Sequence, residues 1–284
     1  MEASSHPQLQ YNTEKVAEAK TDHNIDRLDY LSFSDSEAAN HFVCSSYHRV
    51  GETLTGKMCV LTQQDSEIRL TQLSDEFKFG IFSQSVRQIA PNSCSIKVGC
   101  SDAHFRVFTL SNSDDGVTLN QDKDLQIKEY MILNHHESEF GEYAFAMDSG
   151  DLIVYDVETD QEKFSQSQAH EYQAWTVFCD PYQQNIVYTG ADDTKFKGWD
   201  LRVSGVPTFT SKEHEYGVTC IRDWLGDSHY LVTGKSYSDV QAPMIRNSDF
   251  GTKEHSKHQQ RLWISGCKFG ISSITKILKT NSRM

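Results

Sequence analysis

The sequence predicts an all-β fold, a β-propeller built from a repeated unit of short strands, and three observations carry that prediction. A stretch near residue 170 is echoed 44 residues later: His-Glu-Tyr at 170–172 returns at 214–216, and Thr-Gly at 189–190 returns at 233–234. Within each copy, short runs alternate apolar and polar side chains between turn-forming residues, which suits strands and not amphipathic helices. No window pairs a convincing helical period with helix caps. Several short strands per unit, repeating at about 44 residues, is the spacing of propeller blades.

Taken in chain order, residues 1–35 read as a solvated N-terminal arm, with one or two helical turns at most over 14–20. Residues 36–247 read as the blades. Their first strand-like echoes are Lys-Met-Cys-Val-Leu at 57–61, Phe-Arg-Val-Phe-Thr-Leu at 105–110 and Leu-Ile-Val-Tyr-Asp-Val at 152–157. Ser-Asp-Ala at 101–103 and Ser-Gly-Asp at 149–151 supply turns ahead of the last two. The fullest unit spans 169–202, with three strands separated by turn signals at 180–185 and 191–194. It closes on Trp199-Asp200, the pair that marks a WD-repeat blade. The next unit repeats two strands, at 218–221 and 230–234, and then fails, because counting 44 from Trp199-Asp200 lands on Pro243-Met244. About five units are recognisable. Residues 248–284 read as an atypical basic C-terminal tail.

The unit at 169–202 holds the residue types for a chain of buried hydrogen bonds. Trp199 can donate its indole N–H to Thr189, whose hydroxyl can meet His170, which can donate to Asp193. That gives all four a structural task, set against a catalytic reading of His170 and Asp193.

Composition bounds the class. Of 284 residues, 37% are hydrophobic and 24% charged, with 5 prolines and 16 glycines, which excludes a wholly disordered or collagen-like chain. No apolar run approaches the roughly 18–20 residues of a membrane span, and the first ten residues lack a signal pattern. The expectation is a cytoplasmic protein with no membrane insertion. The 7 cysteines form no C-x-x-C pair and read as small buried hydrophobes, without a disulfide framework or zinc site. Net charge is −13, but residues 251–284 hold seven Lys/Arg against Glu254 alone. The acidic body disfavours nucleic acid and suits a basic protein partner.

The wording of the blades is more particular than the architecture. Ala-His-Glu-Tyr-Gln-Ala-Trp at 169–175, Val-Tyr-Thr-Gly-Ala-Asp-Asp at 187–193 and Lys-Gly-Trp-Asp-Leu-Arg at 197–202 resemble the WD-repeat diphthine methyl-ester hydrolase family, also called diphthine methyltransferase. His214, Gly217-Val218 and Thr-Gly-Lys-Ser-Tyr at 233–237 continue the likeness with one intruding residue. The resemblance covers about 40–240 and is dense over 169–237. It implies a seven-bladed propeller and a carboxylic ester hydrolase with no cofactor. Its implied substrate is the methyl ester of diphthine on elongation factor 2, a step of diphthamide biosynthesis.

Ester hydrolysis needs an activated water or nucleophile and a donor for the oxyanion. There is no G-x-S-x-G elbow and no H-E-x-x-H helix, and His135-His136-Glu137 reads as a polar inter-strand stretch, so no metal ligands are assigned. In a propeller the loop leading into a blade and the turn after its second strand open on one rim. Glu171, Asp192, His214 and Glu215 are therefore expected to converge there, with Asp192 or Glu171 as general base and His214 as its partner. The alternative is a docking rim of Glu171, Tyr172, Trp175, Glu215 and Tyr216 without catalysis. Two further readings stay open. One is a non-enzymatic WD-repeat scaffold, as in vesicle traffic or ubiquitin-ligase assembly. The other is an inactive family member shortened by truncation or frameshift, since seven blades need some 300 residues at this period. Oligomeric state is not legible.

Overall fold

The computed structural model describes residues 23–31, 33, 39–64, 67–113, 116–224, 227–235 and, as backbone, 271–276. Five antiparallel sheets are formed by them, and no helix occurs among the described residues. The first holds β1 Asn24–Leu31, β2 Ala39–Val50, β3 Thr53–Gln64 and β4 Glu67–Gln72. The second holds β5 Ile81–Ala90, β6 Ser93–Cys100, β7 His104–Ser113 and β8 Gly116–Gln126. The third holds β9 Ile132–Glu137, β10 Tyr143–Met147, β11 Leu152–Asp156 and β12 Gln161–Gln166. The fourth holds β13 Ala174–Cys179, β14 Ile186–Ala191, β15 Phe196–Asp200 and β16 Phe209–Ser211. The fifth holds β17 Val218–Trp224, β18 Asp227–Lys235 and β19 Ile271–Lys276.

Each sheet is a meander in which every strand pairs with the next in sequence. The first strands of consecutive sheets, β1, β5, β9, β13 and β17, lie against one another in that order, which is the arrangement of propeller blades around an axis. Three boundaries differ from the sequence reading. The first blade begins at Asn24, inside the stretch read as an arm, and β1 pairs with β2 over its whole length. Ile271–Lys276, inside the segment read as a tail without repeats, pairs with β18. His135, His136 and Glu137 belong to β9 and are not inter-strand. The helical turn at 14–20 and the failed third strand near 243 lie outside the described residues.

Burial follows position in the blade. The second strands β10 and β14 are buried at nearly every residue, because both of their faces meet a neighbouring sheet. The fourth strands β4, β8 and β12 are mostly exposed and polar, a composition that blunts an open sheet edge. Alternation then sorts side chains between two cores. Tyr143, Phe145 and Met147 of β10 face the second blade, packing with Phe105, Ile132 and Ile153. Ala144 and Ala146 face the fourth blade, packing with Val177, Val187 and Trp199. Two further clusters join the first blade to the second and the fourth to the fifth.

Cys44, Cys59, Cys94, Cys100 and Cys179 are free thiols, and burial pushes Cys100 and Cys179 up to about 12, so they act as apolar filler. Cys220 is disulfide-bonded, contrary to the expectation for the set.

Phe105 is fully buried at the contact of the second and third blades, with its ring 5.0 Å from Phe145 and 5.3 Å from Tyr143. Phe105→Ala is expected to cost about 3–5 kcal/mol of unfolding free energy in urea titrations, and a loss below about 1 kcal/mol would count against a dense core there.

Candidate functional site

Thr189 sits on the face of β14 that carries Val187 and Ala191, within the core between the third and fourth blades. A hydroxyl buried among apolar groups must find partners, and Thr189 has two. Trp199 Nε1 donates to Thr189 Oγ1 at 2.8 Å, and Thr189 Oγ1 lies 2.7 Å from His170 Nε2. His170 Nδ1 is 3.0 Å from both oxygens of Asp193. One proton order satisfies every step: the indole donates to the hydroxyl, the hydroxyl to Nε2, and Nδ1–H to the carboxylate. Burial holds the His170 pKa below its usual value despite Asp193 beside it, so the ring is neutral at pH 7. For Asp193 burial acts in the opposite sense, but the His170 bond and the backbone N–H groups of Lys195 and Glu171 keep its pKa low.

The chain of bonds fixes the rim. Asp193 Oδ1 accepts the backbone N–H of Lys195 at 3.0 Å and Oδ2 that of Glu171 at 3.3 Å, tying the turn after β14 to the loop leading into β13. The same loop receives Asp192 N–H at the Gln173 carbonyl, 3.0 Å away. Asp192 is exposed, and its carboxylate lies against Gly217 of the next leading loop. A Cβ at Gly217 would fall 2.4 Å from Asp192 Oδ1 and 3.2 Å from its Cα, so a larger residue there would push the exposed carboxylate aside.

The residues named from sequence separate into three groups. Asp192, Glu171, Tyr172, Glu215 and Tyr216 are exposed on these loops, and Trp175 is half-buried at the start of β13. Glu171 forms an ion pair with Lys195 that lowers its pKa, a setting poorly suited to a base near neutrality. His214 is buried, with Nε2 3.0 Å from Thr233 Oγ1. That contact is the His170–Thr189 pair one blade on, and it places His214 in the blade interior instead of beside Asp192 on the rim.

One further acid occupies the rim. Asp148 precedes Asp192 by 44 residues, and the turn it begins stands in the same place on the third blade. Its N–H reaches the Met131 carbonyl at 3.1 Å, Oδ1 is buried without a hydrogen-bond partner, and the adjacent Ser149 Oγ is likewise buried without one. Burial, joined by the Asp151 carboxylate, raises the Asp148 pKa against backbone N–H groups that oppose it. The 44-residue count from Asp192 is the signal that could have found it.

His135 is held between Ser83 Oγ at 2.7 Å and Ser85 Oγ at 2.9 Å, and burial holds its pKa at about 3. His136 Nδ1 accepts the Cys179 N–H at 3.2 Å; burial and then Arg222 hold its pKa at about 4. Among the described residues no group of three metal-binding side chains occurs.

The comparisons with known proteins bear on this geometry. The chain is 42% identical over 71 residues, 25% of its length, to the diphthine methyltransferase of Mus musculus, covering 15% of that protein. It is 39% identical over 88 residues, 31% of its length, to that of Homo sapiens, covering 19% of it. It is 33% identical over 86 residues to the diphthine methyltransferase homolog of Dictyostelium discoideum, covering 25% of this chain and 23% of that protein. The matches thus span less than a quarter of each of these three relatives, and the similarity to diphthine methyltransferases is confined to those stretches. No protein-family model matches the chain. Among solved structures, a chain of the mitotic checkpoint complex matches 83% of this chain and 67% of its own length, with a TM-score of 0.50 and 13% identity, which supports the propeller fold alone.

Two measurements check the site. Thr189→Val leaves the Trp199 N–H and His170 Nε2 unpaired and is expected to cost about 2–5 kcal/mol, whereas Thr189→Ser keeps both bonds and is expected to cost about 1 kcal/mol. A larger loss for Thr189→Ser than for Thr189→Val would show that the methyl group, not the hydroxyl, matters. The unfolded chain protonates His135 and His136 near pH 6.5 and the folded chain does not. Their stabilisation is therefore complete above that pH and falls as acid is added, by up to about 1.4 kcal/mol per pH unit for each histidine. His136→Gln is expected to flatten the acid limb of stability against pH by about one proton.

Proposed function

We propose that this chain acts in the cytoplasm as a carboxylic ester hydrolase on the methyl ester of diphthine carried by elongation factor 2, a step of diphthamide biosynthesis. The observation that carries this reading is the partial identity to diphthine methyltransferases, on top of a WD-repeat unit whose wording is distinctive at 169–202. The reaction balances with water alone: water adds to the ester carbonyl, methanol leaves, and a carboxylate and one proton remain.

A rim carboxylate supplies the base in this proposal. Asp192 is exposed at the junction of two blades, and Asp148 is its counterpart one blade earlier. Burial raises the Asp148 pKa, the direction that suits a general base. Glu171 is the weaker candidate while Lys195 holds it, and His214 serves the blade interior.

A non-enzymatic scaffold is the second reading, and a specific observation favours it. Two of the three acid–base candidates named from sequence, Glu171 and His214, are already engaged by Lys195 and Thr233. Incubation with methyl-esterified elongation factor 2 and mass spectrometry of the modified histidine separates the readings. The hydrolase is expected to remove the mass of one methylene from the modified residue, and Asp148→Asn or Asp192→Asn to slow this at least tenfold. A folded chain that leaves the ester intact points to the scaffold.

A further inference from the structure

Three leading loops carry the same exposed pair of residues. Glu129-Tyr130 leads into β9, Glu171-Tyr172 into β13 and Glu215-Tyr216 into β17. All three glutamates are exposed, and the tyrosines are 50%, 63% and 41% exposed. Large aromatic surface facing water at one position of three consecutive blades is not demanded by packing, since the cores between these blades lie elsewhere.

Contacts join the three loops into one strip. The Asp148 N–H bonds to Met131, next to Tyr130. Two residues on, Gly150, with φ of 83°, packs so closely on the second loop that a Cβ would lie 2.5 Å from the His170 carbonyl and 2.7 Å from that of Tyr172. The Asp192 N–H bonds to Gln173 of that loop, and the Asp192 carboxylate covers Gly217, next to Tyr216. These contacts link the three leading loops in turn, from that of Tyr130 through that of Tyr172 to that of Tyr216.

Its charge is one-sided. Asp148 and Asp192 add to the three glutamates, and Glu213 stands beside Glu215. Against these acids the loops and turns carry Lys128, which faces Glu162, Lys195, which pairs with Glu171, and the exposed Lys212, so the acids outnumber the lysines. His170 is neutral and buried, so it offsets none of this charge.

We propose that this strip docks an extended, arginine- or lysine-rich segment of a partner protein. Its cationic side chains would lie on the tyrosine ring faces and pair with the flanking carboxylates. Cations stack on aromatic faces, and carboxylates beside them supply charge that salt screens. The proposal stands apart from the hydrolase reading, because a peptide without any ester tests it.

The probe is a fluorescein-labelled nine-residue peptide alternating arginine and serine, with a glutamate–serine peptide as control, titrated by anisotropy against the full chain. The expected result is saturable binding of the arginine peptide alone, weakening as salt rises. Joint Tyr130→Ala, Tyr172→Ala and Tyr216→Ala substitution is expected to raise Kd at least tenfold. The corresponding Phe triple, which keeps the rings, is expected to stay within about twofold. Glu129→Lys, Glu171→Lys and Glu215→Lys together are expected to abolish binding. Should the alanine triple fail to fold, Tyr172→Ala alone is read for a loss of a few-fold. Absence of binding by the unaltered chain, equal binding of the acidic peptide, or an alanine variant that binds as the parent does would overturn the proposal.

Discussion

The Thr189 hydroxyl fixes the geometry of the best-formed blade. It joins β14 to β15 through Trp199, and β14 to the leading loop through His170. Through His170 it also determines where Asp193 gathers two backbone N–H groups of the rim. The exposed residues that a partner would meet are thus positioned by a buried network whose every member is satisfied. The third blade reaches the same shape differently. Its leading loop begins at Ile127, which packs with Phe145 and Val157 in an apolar cluster. One architecture accepts an oily or a hydrogen-bonded solution at the same joint.

Blade stacking explains the composition. Each sheet shares a core with the next, so β10 and β14 are apolar on both faces while the outer strands stay polar. A chain that is only 37% hydrophobic can close such cores because they are thin layers between sheets, each a few side chains deep. Charged side chains of both signs then lie on the outer strands and loops, where water accommodates them.

Much of this was legible because the repeat is local. The echoes at 57–61, 105–110, 152–157 and 196–202 fall on β3, β7, β11 and β15, the third strands of four blades. The inner strands were harder to read, for a physical reason: they carry polar groups that the fold satisfies internally. In β1, Asp29 accepts from Gln84 at 2.7 Å and Arg27 donates to the Phe82 carbonyl at 2.9 Å, so its acidic sequence resembled a solvated arm. In β9, His135 and His136 are bonded to Ser83, Ser85 and the Cys179 N–H, though their sequence looked like a loop. The rim was legible in part. Thr233 follows Thr189 by 44 residues and would have assigned His214 to the interior, and the same count leads from Asp192 back to Asp148. Glu129-Tyr130 escaped notice because Ile127 replaces the histidine that flags the other two loops.

The hydrogen-bond chain of the fourth blade has one more consequence. Thr189, His170 and Asp193 present a hydroxyl, an imidazole and a carboxylate in the order and at the spacing of a nucleophilic triad. In an open cleft that constellation would invite assignment as an esterase centre. Here the hydroxyl is fully buried and the Trp199 N–H already bonds to its oxygen, so no carbonyl carbon can approach it. The arrangement serves as masonry, and access to substrate, more than geometry, separates it from a catalyst. For a chain read as an ester hydrolase, that points the search for reacting groups outward to the rim, even though the most triad-like residues lie within.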